Sequence, residues 1–62
     1  MQNYEIRLIQ KEGIAEVQIV TAESLASAVA CARSLLARHR EMESAQIRSR
    51  GGMLLAGVGQ AH

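Results

Sequence analysis

One cysteine and two histidines are the side chains of this sequence best suited to nucleophilic or metal chemistry. Cys31 and His39 are eight residues apart, which is about 12 Å along a helix at 1.5 Å per residue. A catalytic thiol needs a base within hydrogen-bonding distance, so we expect Cys31 to be an inert, half-buried thiol. A structural zinc site takes about four ligands, and Cys31, His39 and His62 show no finger-like spacing. These residues therefore predict neither a catalytic residue nor a metal site.

Two further patterns are typical of active sites, but each lacks the context that the chemistry needs. Glu41 and Glu43 are close neighbours, yet acid–base pairs require two carboxyl groups in contrasting environments, and both lie in a polar loop. Gly51-Gly52 lacks the lysine and the following helix of a phosphate-binding loop. We therefore expect no enzyme activity and no cofactor.

The arginines are the one feature that suggests a ligand. Residues 1–31 carry a net charge of −2 and residues 32–62 a net charge of +3. Nucleic-acid binding needs a clustered basic surface, for which Arg7, Arg48 and Arg50 are the candidates. Single-strand binders also use aromatic stacking platforms, and Tyr4, the only aromatic residue, is predicted to face the core. Nucleic-acid binding is therefore the alternative function rather than the favoured one.

Alternation of apolar and polar residues on both sides of Gly13 predicts a β-hairpin over residues 4–20. With Glu12 and Gly13 as a two-residue turn, the apolar residues of the two strands match across the pair, which would fix the register. The predicted pairs are Leu8 with Val17, Ile6 with Ile19, and Tyr4 with Thr21.

An alanine-rich segment predicts a helix over residues 22–41. Thr21 is the expected N-cap, and Glu23 suits the positive first turn. One face of this helix is apolar at the helical period, and Met42 is expected to close the core beyond it. The apolar face comprises Leu25, Ala28, Val29, Ala32, Leu35, Leu36 and His39.

A second hairpin is predicted over residues 45–58, with Gly51-Gly52 as its two-residue turn. Residues 59–62 are expected to form a frayed tail. The whole chain is then one α+β domain with ββαββ order, an antiparallel sheet of two hairpins with one helix packed on one face. The predicted pairs of the second hairpin are Ala45 with Val58, Ile47 with Ala56, and Ser49 with Leu54.

The size and composition of the chain favour self-association. A chain of 62 residues buries only about 60% of its unfolded surface. The sequence has no Trp or Phe and one Tyr, so the side chains that carry the largest areas into a core are nearly absent. The single cysteine excludes an intrachain disulfide. We therefore expect a homo-oligomer, with a dimer favoured, that acts as a non-enzymatic interaction or assembly protein; a different protein partner is also possible.

The last strand is the leading candidate for the interface. Charged side chains and proline usually protect an exposed edge strand from pairing with another chain. Residues 51–61 contain neither. The strand lies either at the centre of its own sheet or against another copy, and we favour the second arrangement. The sheet face away from the helix is a further candidate surface. The expected interface residues are Met53, Leu54, Leu55, Ala56, Val58, Ile9 and Val20.

No segment approaches the roughly 18 apolar residues of a membrane span, and the first residues lack the apolar core of a signal peptide. One unpaired cysteine is typical of a reducing compartment. The sequence therefore predicts a cytoplasmic protein with no membrane partner.

Overall fold

Two hairpins pair through their first strands to form a four-stranded antiparallel sheet. The computed structural model describes residues 1–60, and in that range the strand order is β2-β1-β3-β4. The helix lies between the hairpins in the chain and packs on one face of the sheet, which confirms the predicted ββαββ architecture. The elements are β1 Gln2–Gln10, β2 Gly13–Ala22, α1 Leu25–Arg38, β3 Ser44–Ser49 and β4 Leu54–Gly59.

The register of the first hairpin differs by one residue from the prediction. The turn lies at residues 11 and 12, and Gly13 already pairs with Gln10 while adopting a φ of 127°. A register shift follows at Leu8 and Ile9, where Ala15 is the extra residue. A slip of one residue turns every side chain of a strand to the other face, so Val17 and Ile19 face away from the helix, whereas Val20 and Ala22 pack against the core. The observed pairs are Leu8 with Glu16, Ile6 with Gln18, and Tyr4 with Val20.

The second hairpin follows the prediction in part. Ala45 pairs with Val58 and Ile47 pairs with Ala56, as predicted. The predicted pairing of Ser49 with Leu54 is wrong, because the register shifts after Ile47 and Arg48 pairs with Leu54 instead. The turn is correspondingly longer. It is closed by hydrogen bonds from Ser49 N–H to Met53 O, from Gly52 N–H to Ser49 O, and from Met53 N–H to Ser49 Oγ.

Helix α1 begins later than the sequence predicts. Ser24, rather than Thr21, is the N-cap; its backbone is extended and its Oγ accepts a hydrogen bond from Ser27 N–H at 3.2 Å. Thr21 remains in β2, where its hydroxyl donates to Asn3 Oδ1 at 2.8 Å. Pairing with β1 therefore extends β2 to Ala22, and the helix starts only after a two-residue link.

The core between sheet and helix is thin. Ten hydrophobic side chains are buried in the described range, and four of them are alanines. Small side chains at Ala28 and Ala32 bring the helix close to the sheet but bury little area, so few large groups hold the two layers together. Met42 is buried beyond the helix, as predicted. The core consists of Tyr4, Ile6, Leu8, Ala22, Ala28, Ala32, Leu36, Met42, Ala45 and Ile47.

The end of β4 is tied to the helix rather than frayed. Gly59 belongs to β4, and Gln60 N–H donates to Glu43 O at 2.9 Å. The side-chain amide of Gln60 lies within hydrogen-bonding distance of three carbonyl oxygens around the helix C-terminus, those of Leu36, His39 and Met42. The prediction of a tail is thus wrong at residues 59 and 60, and for residues 61 and 62 it lies outside the described residues.

Candidate functional site

The sheet face opposite α1, here called the open face, is covered by no other element of the described chain. Strand pairing aligns its side chains in rows that cross all four strands. Two rows lie at its centre. The Glu5 row comprises Ile19, Glu5, Arg48 and Leu54, and the Arg7 row comprises Val17, Arg7, Gln46 and Gly57.

An apolar stripe runs along β2 at one side of the open face. Ile14, Val17 and Ile19 are 55%, 48% and 55% exposed. Ile14 pairs with the half-buried Ile9 of β1, which extends the stripe inward. Isolated apolar residues are common on protein surfaces, but a continuous group of this kind is typical of an interface.

The centre of the open face is charged. Arg7 Nε lies 3.4 Å from Glu5 Oε2, and the two side chains are 30% and 20% exposed. This contact is not aligned as a hydrogen bond, and within residues 1–60 the buried Nε has no hydrogen-bond acceptor. A buried donor without an acceptor costs about 1–3 kcal/mol. The open face therefore carries an Arg7–Glu5 ion pair whose Nε is buried beneath the surface.

Arg48 is held in place on the other side of the centre. Its Nε and Nη2 donate to Gln46 Oε1 at 3.3 and 3.2 Å, and its Nη1 donates to Gly52 O at 2.9 Å. The guanidinium thereby joins β3 to the hairpin turn. Next to it, Leu54 is 53% exposed. Gly57 has no side chain and therefore leaves a shallow depression in the open face.

The seven residues predicted to form the interface divide between the two faces of the sheet and its rim. Leu54 and Ile9 lie on the open face, Met53 is exposed in the turn, and Leu55 is 37% exposed at the bulge of β4. Ala56, Val58 and Val20 pack against the core beneath the helix. Strand β4 lies at an edge of the sheet, so the alternative of a central strand is wrong.

Sequence reasoning missed Val17 and Ile19 as surface residues because it assigned them to the core through the wrong register. The signal for the correct register was weak. Gly13 suits a position after the turn as well as one within it, and nothing local marks Ala15 as an inserted residue.

The three candidate nucleic-acid contacts do not form a free basic cluster. Arg7 is next to Glu5, the donors of Arg48 are directed to Gln46 and Gly52, and Arg50 is exposed in the turn. Tyr4 is buried beneath the helix, where it offers no stacking platform.

The other residues considered for chemistry lie apart from this face. Cys31 is half-buried at the edge of the core, and His39 Nδ1 is 3.8 Å from Glu41 Oε1. Within residues 1–60, no three His, Cys, Asp or Glu side chains are grouped closely enough to hold a metal ion. In the same range, no helix is both long and apolar enough to cross a bilayer.

No protein-family model, curated protein or solved structure significantly matches this chain.

Proposed function

We propose that this protein is a small, non-enzymatic assembly module that works as a homodimer through its open face. The observation that carries the proposal is the exposed stripe of Ile14, Val17 and Ile19 beside a charged centre. A second copy would remove the stripe from water. The single Cys31 supports action in the reducing environment of the cytoplasm.

The area of the open face is large enough for a small dimer interface. The four strands have 9, 10, 6 and 6 residues, so at about 3.3 Å per residue and 4.8 Å per strand the face covers roughly 500 Å². Two such faces bury about 1,000 Å² in total, which is the minimum for a specific interface and typical of a weak dimer. Pairing along the edge of six-residue β4 would cover only about a fifth of that area, so we favour the face over the edge.

The thin core gives a physical reason for association. One copy buries only ten hydrophobic residues in the described range, and the largest fully buried ones are Ile6, Leu8, Leu36 and Ile47. Packing two sheets about 10 Å apart would cover the apolar stripe along β2 and enclose the charged centre over β1 and β3. The sheet of each subunit would then lie between its own helix and the sheet of the partner.

Analytical ultracentrifugation of a matched pair of variants tests the proposal. Val17→Lys places a charge within the stripe, whereas Gln18→Lys adds the same charge to the opposite face of the same strand, where Gln18 pairs with Ile6. Each dimer would bury two unpaired ammonium groups, at about 1–3 kcal/mol or more each. We therefore expect the dissociation constant to rise by about 100-fold or more for Val17→Lys and by less than about 5-fold for Gln18→Lys.

Two outcomes would contradict the proposal. A monomeric wild-type protein would exclude a homodimer. A Val17→Lys protein that dimerises as well as the wild type would place the contact elsewhere, and the uncharged edge of β4 would become the leading candidate.

Nucleic-acid binding remains the alternative, and no observation on the open face favours it. Two of its three candidate arginines are already engaged within the subunit, and the third lies alone in the turn. Any backbone-directed binding would have to rely on the scattered exposed arginines of the helix and the turn.

A further inference from the structure

We infer that the two copies are related by a two-fold axis that crosses the strands at the level of Ile6, so that the Glu5 row of each copy lies on the Arg7 row of the other. This inference rests on the proposed homodimer and specifies its geometry. A two-fold interface brings the same patch of both copies together, so it must be complementary to itself. The two central rows of the open face have this property.

The charges are the strongest part of the match. Glu5 and Arg7 are two residues apart on β1 and share the open face, because Tyr4, Ile6 and Leu8 face the helix. An axis between them places Glu5 of each copy against Arg7 of the other, and therefore creates two opposite-charge contacts. The partially exposed Glu5 carboxylate then becomes an acceptor for the partially exposed Arg7 side chain of the second copy, in addition to the ion pair that the two residues form within one chain.

The remaining positions of the two rows agree with the same axis. Val17 meets Ile19 of the second copy, so two of the three exposed residues of each apolar stripe lie against the other stripe. Gln46 meets Arg48, a pairing that already forms hydrogen bonds within one chain.

At β4 the axis brings Leu54 over the low surface at Gly57 of the second copy. Gly57 does not have a positive φ, and a Cβ built there would meet only Ala45 O at 3.9 Å. The fold of one copy therefore does not demand glycine at this position. The dimer explains the glycine, because the lack of a side chain at position 57 leaves room for Leu54 of the second copy.

A charge exchange tests the geometry directly. In Glu5→Arg, the axis would place the introduced guanidinium against Arg7 of an identical copy, and in Arg7→Glu it would place two carboxylates together. Like charges at an interface are strongly unfavourable, so each variant alone is expected to dimerise about 100-fold or more weakly than the wild type. An equimolar mixture of the two should form a heterodimer with an affinity within about 10-fold of the wild type, since all contacts in it are again between opposite charges.

The mixture separates contacts between copies from effects within one copy. Each single variant also places like charges side by side on β1 of its own chain, and mixing cannot relieve that repulsion. Recovery on mixing must therefore come from the second chain. The double variant Glu5→Arg/Arg7→Glu should likewise dimerise within about 10-fold of the wild type, and it decides the question if a single variant proves unfolded by circular dichroism.

Native mass spectrometry of the mixture, with one chain labelled with ¹⁵N, distinguishes the outcomes. A heterodimer peak with little of either homodimer supports the axis. If the axis ran along the strands instead, Glu5 would face Arg48 of the second copy, and Arg7→Glu could not restore the dimerisation of Glu5→Arg. That result would overturn the inference while leaving the homodimer intact. Single variants that dimerise as well as the wild type would also overturn it, whereas a monomeric wild-type protein would remove the proposed function itself.

Discussion

Replacing Gln60 by alanine is expected to destabilise the fold far more than its place near the end of the sequence suggests. The side-chain amide has two protons, and three carbonyl oxygens lie 2.8, 3.1 and 3.3 Å from its nitrogen. These oxygens belong to Leu36, Met42 and His39, around the end of α1, where helix carbonyls lack intrahelical partners. At about 1 kcal/mol net for each of two hydrogen bonds, Gln60→Ala should cost about 2 kcal/mol.

This loss is large for so small a protein. A chain of this length is expected to have an unfolding free energy of roughly 3–9 kcal/mol, so the variant would lose a substantial part of it. The midpoint of thermal unfolding should fall by about 8–16 °C, at roughly 4–8 °C for each kcal/mol. Gln60→Glu should cost at least as much, because a carboxylate offers no proton to the carbonyls and adds negative charge at the negative end of the helix.

Urea unfolding followed by circular dichroism at one fixed protein concentration provides the measurement. The matched control is Gln18→Ala, since over residues 1–60 the Gln18 side chain forms a single hydrogen bond, to the exposed Glu16 carboxylate at 3.3 Å. Its cost should stay below about 0.5 kcal/mol. If Gln60→Ala were as stable as Gln18→Ala, or Gln60→Glu as stable as the wild type, the attachment of this residue to the helix end would be refuted.

Two further predictions concern the helix start and the arginines. Ser24→Ala should lower the unfolding free energy by about 1 kcal/mol and Thr21→Ala by less, because Ser24 caps α1 while the Thr21 hydroxyl bonds to exposed Asn3. Urea titration compares the two variants. A larger loss for Thr21→Ala than for Ser24→Ala would contradict the assigned cap. In a gel-shift assay at low salt, neither the wild-type protein nor the Arg48→Ala/Arg50→Ala variant should change the mobility of nucleic acid. A salt-dependent shift that these substitutions abolish would instead support the nucleic-acid alternative.

The faces of β1, β3 and α1 could be predicted because a single period determines each of them. Alternation at Tyr4, Ile6 and Leu8 and the four-residue spacing of Ala28, Ala32 and Leu36 both lead to the observed core. The face of β2 could not be predicted in the same way. The apolar residues Val17 and Ile19 alternate correctly for either face, and only the bulge, a property of the paired strands, decides between the two.

The end of the chain and the helix start were missed for different reasons. Gln60 reaches carbonyls 18 to 24 residues away in the sequence, a contact that no local pattern encodes. Thr21 and Ser24 are both good N-caps by residue type. Pairing of β2 with β1 as far as Ala22 selects the later one. The stripe residues Val17 and Ile19 were therefore assigned to the wrong face of the sheet.

The molar mass of the wild-type chain across a dilution series tests the central claim most directly. Multi-angle light scattering coupled to size-exclusion chromatography should give twice the chain mass of 6.7 kDa at tens of micromolar, with the mass falling toward that of a single chain on dilution. A mass of one chain throughout, together with cooperative unfolding whose midpoint does not depend on protein concentration, would contradict the account.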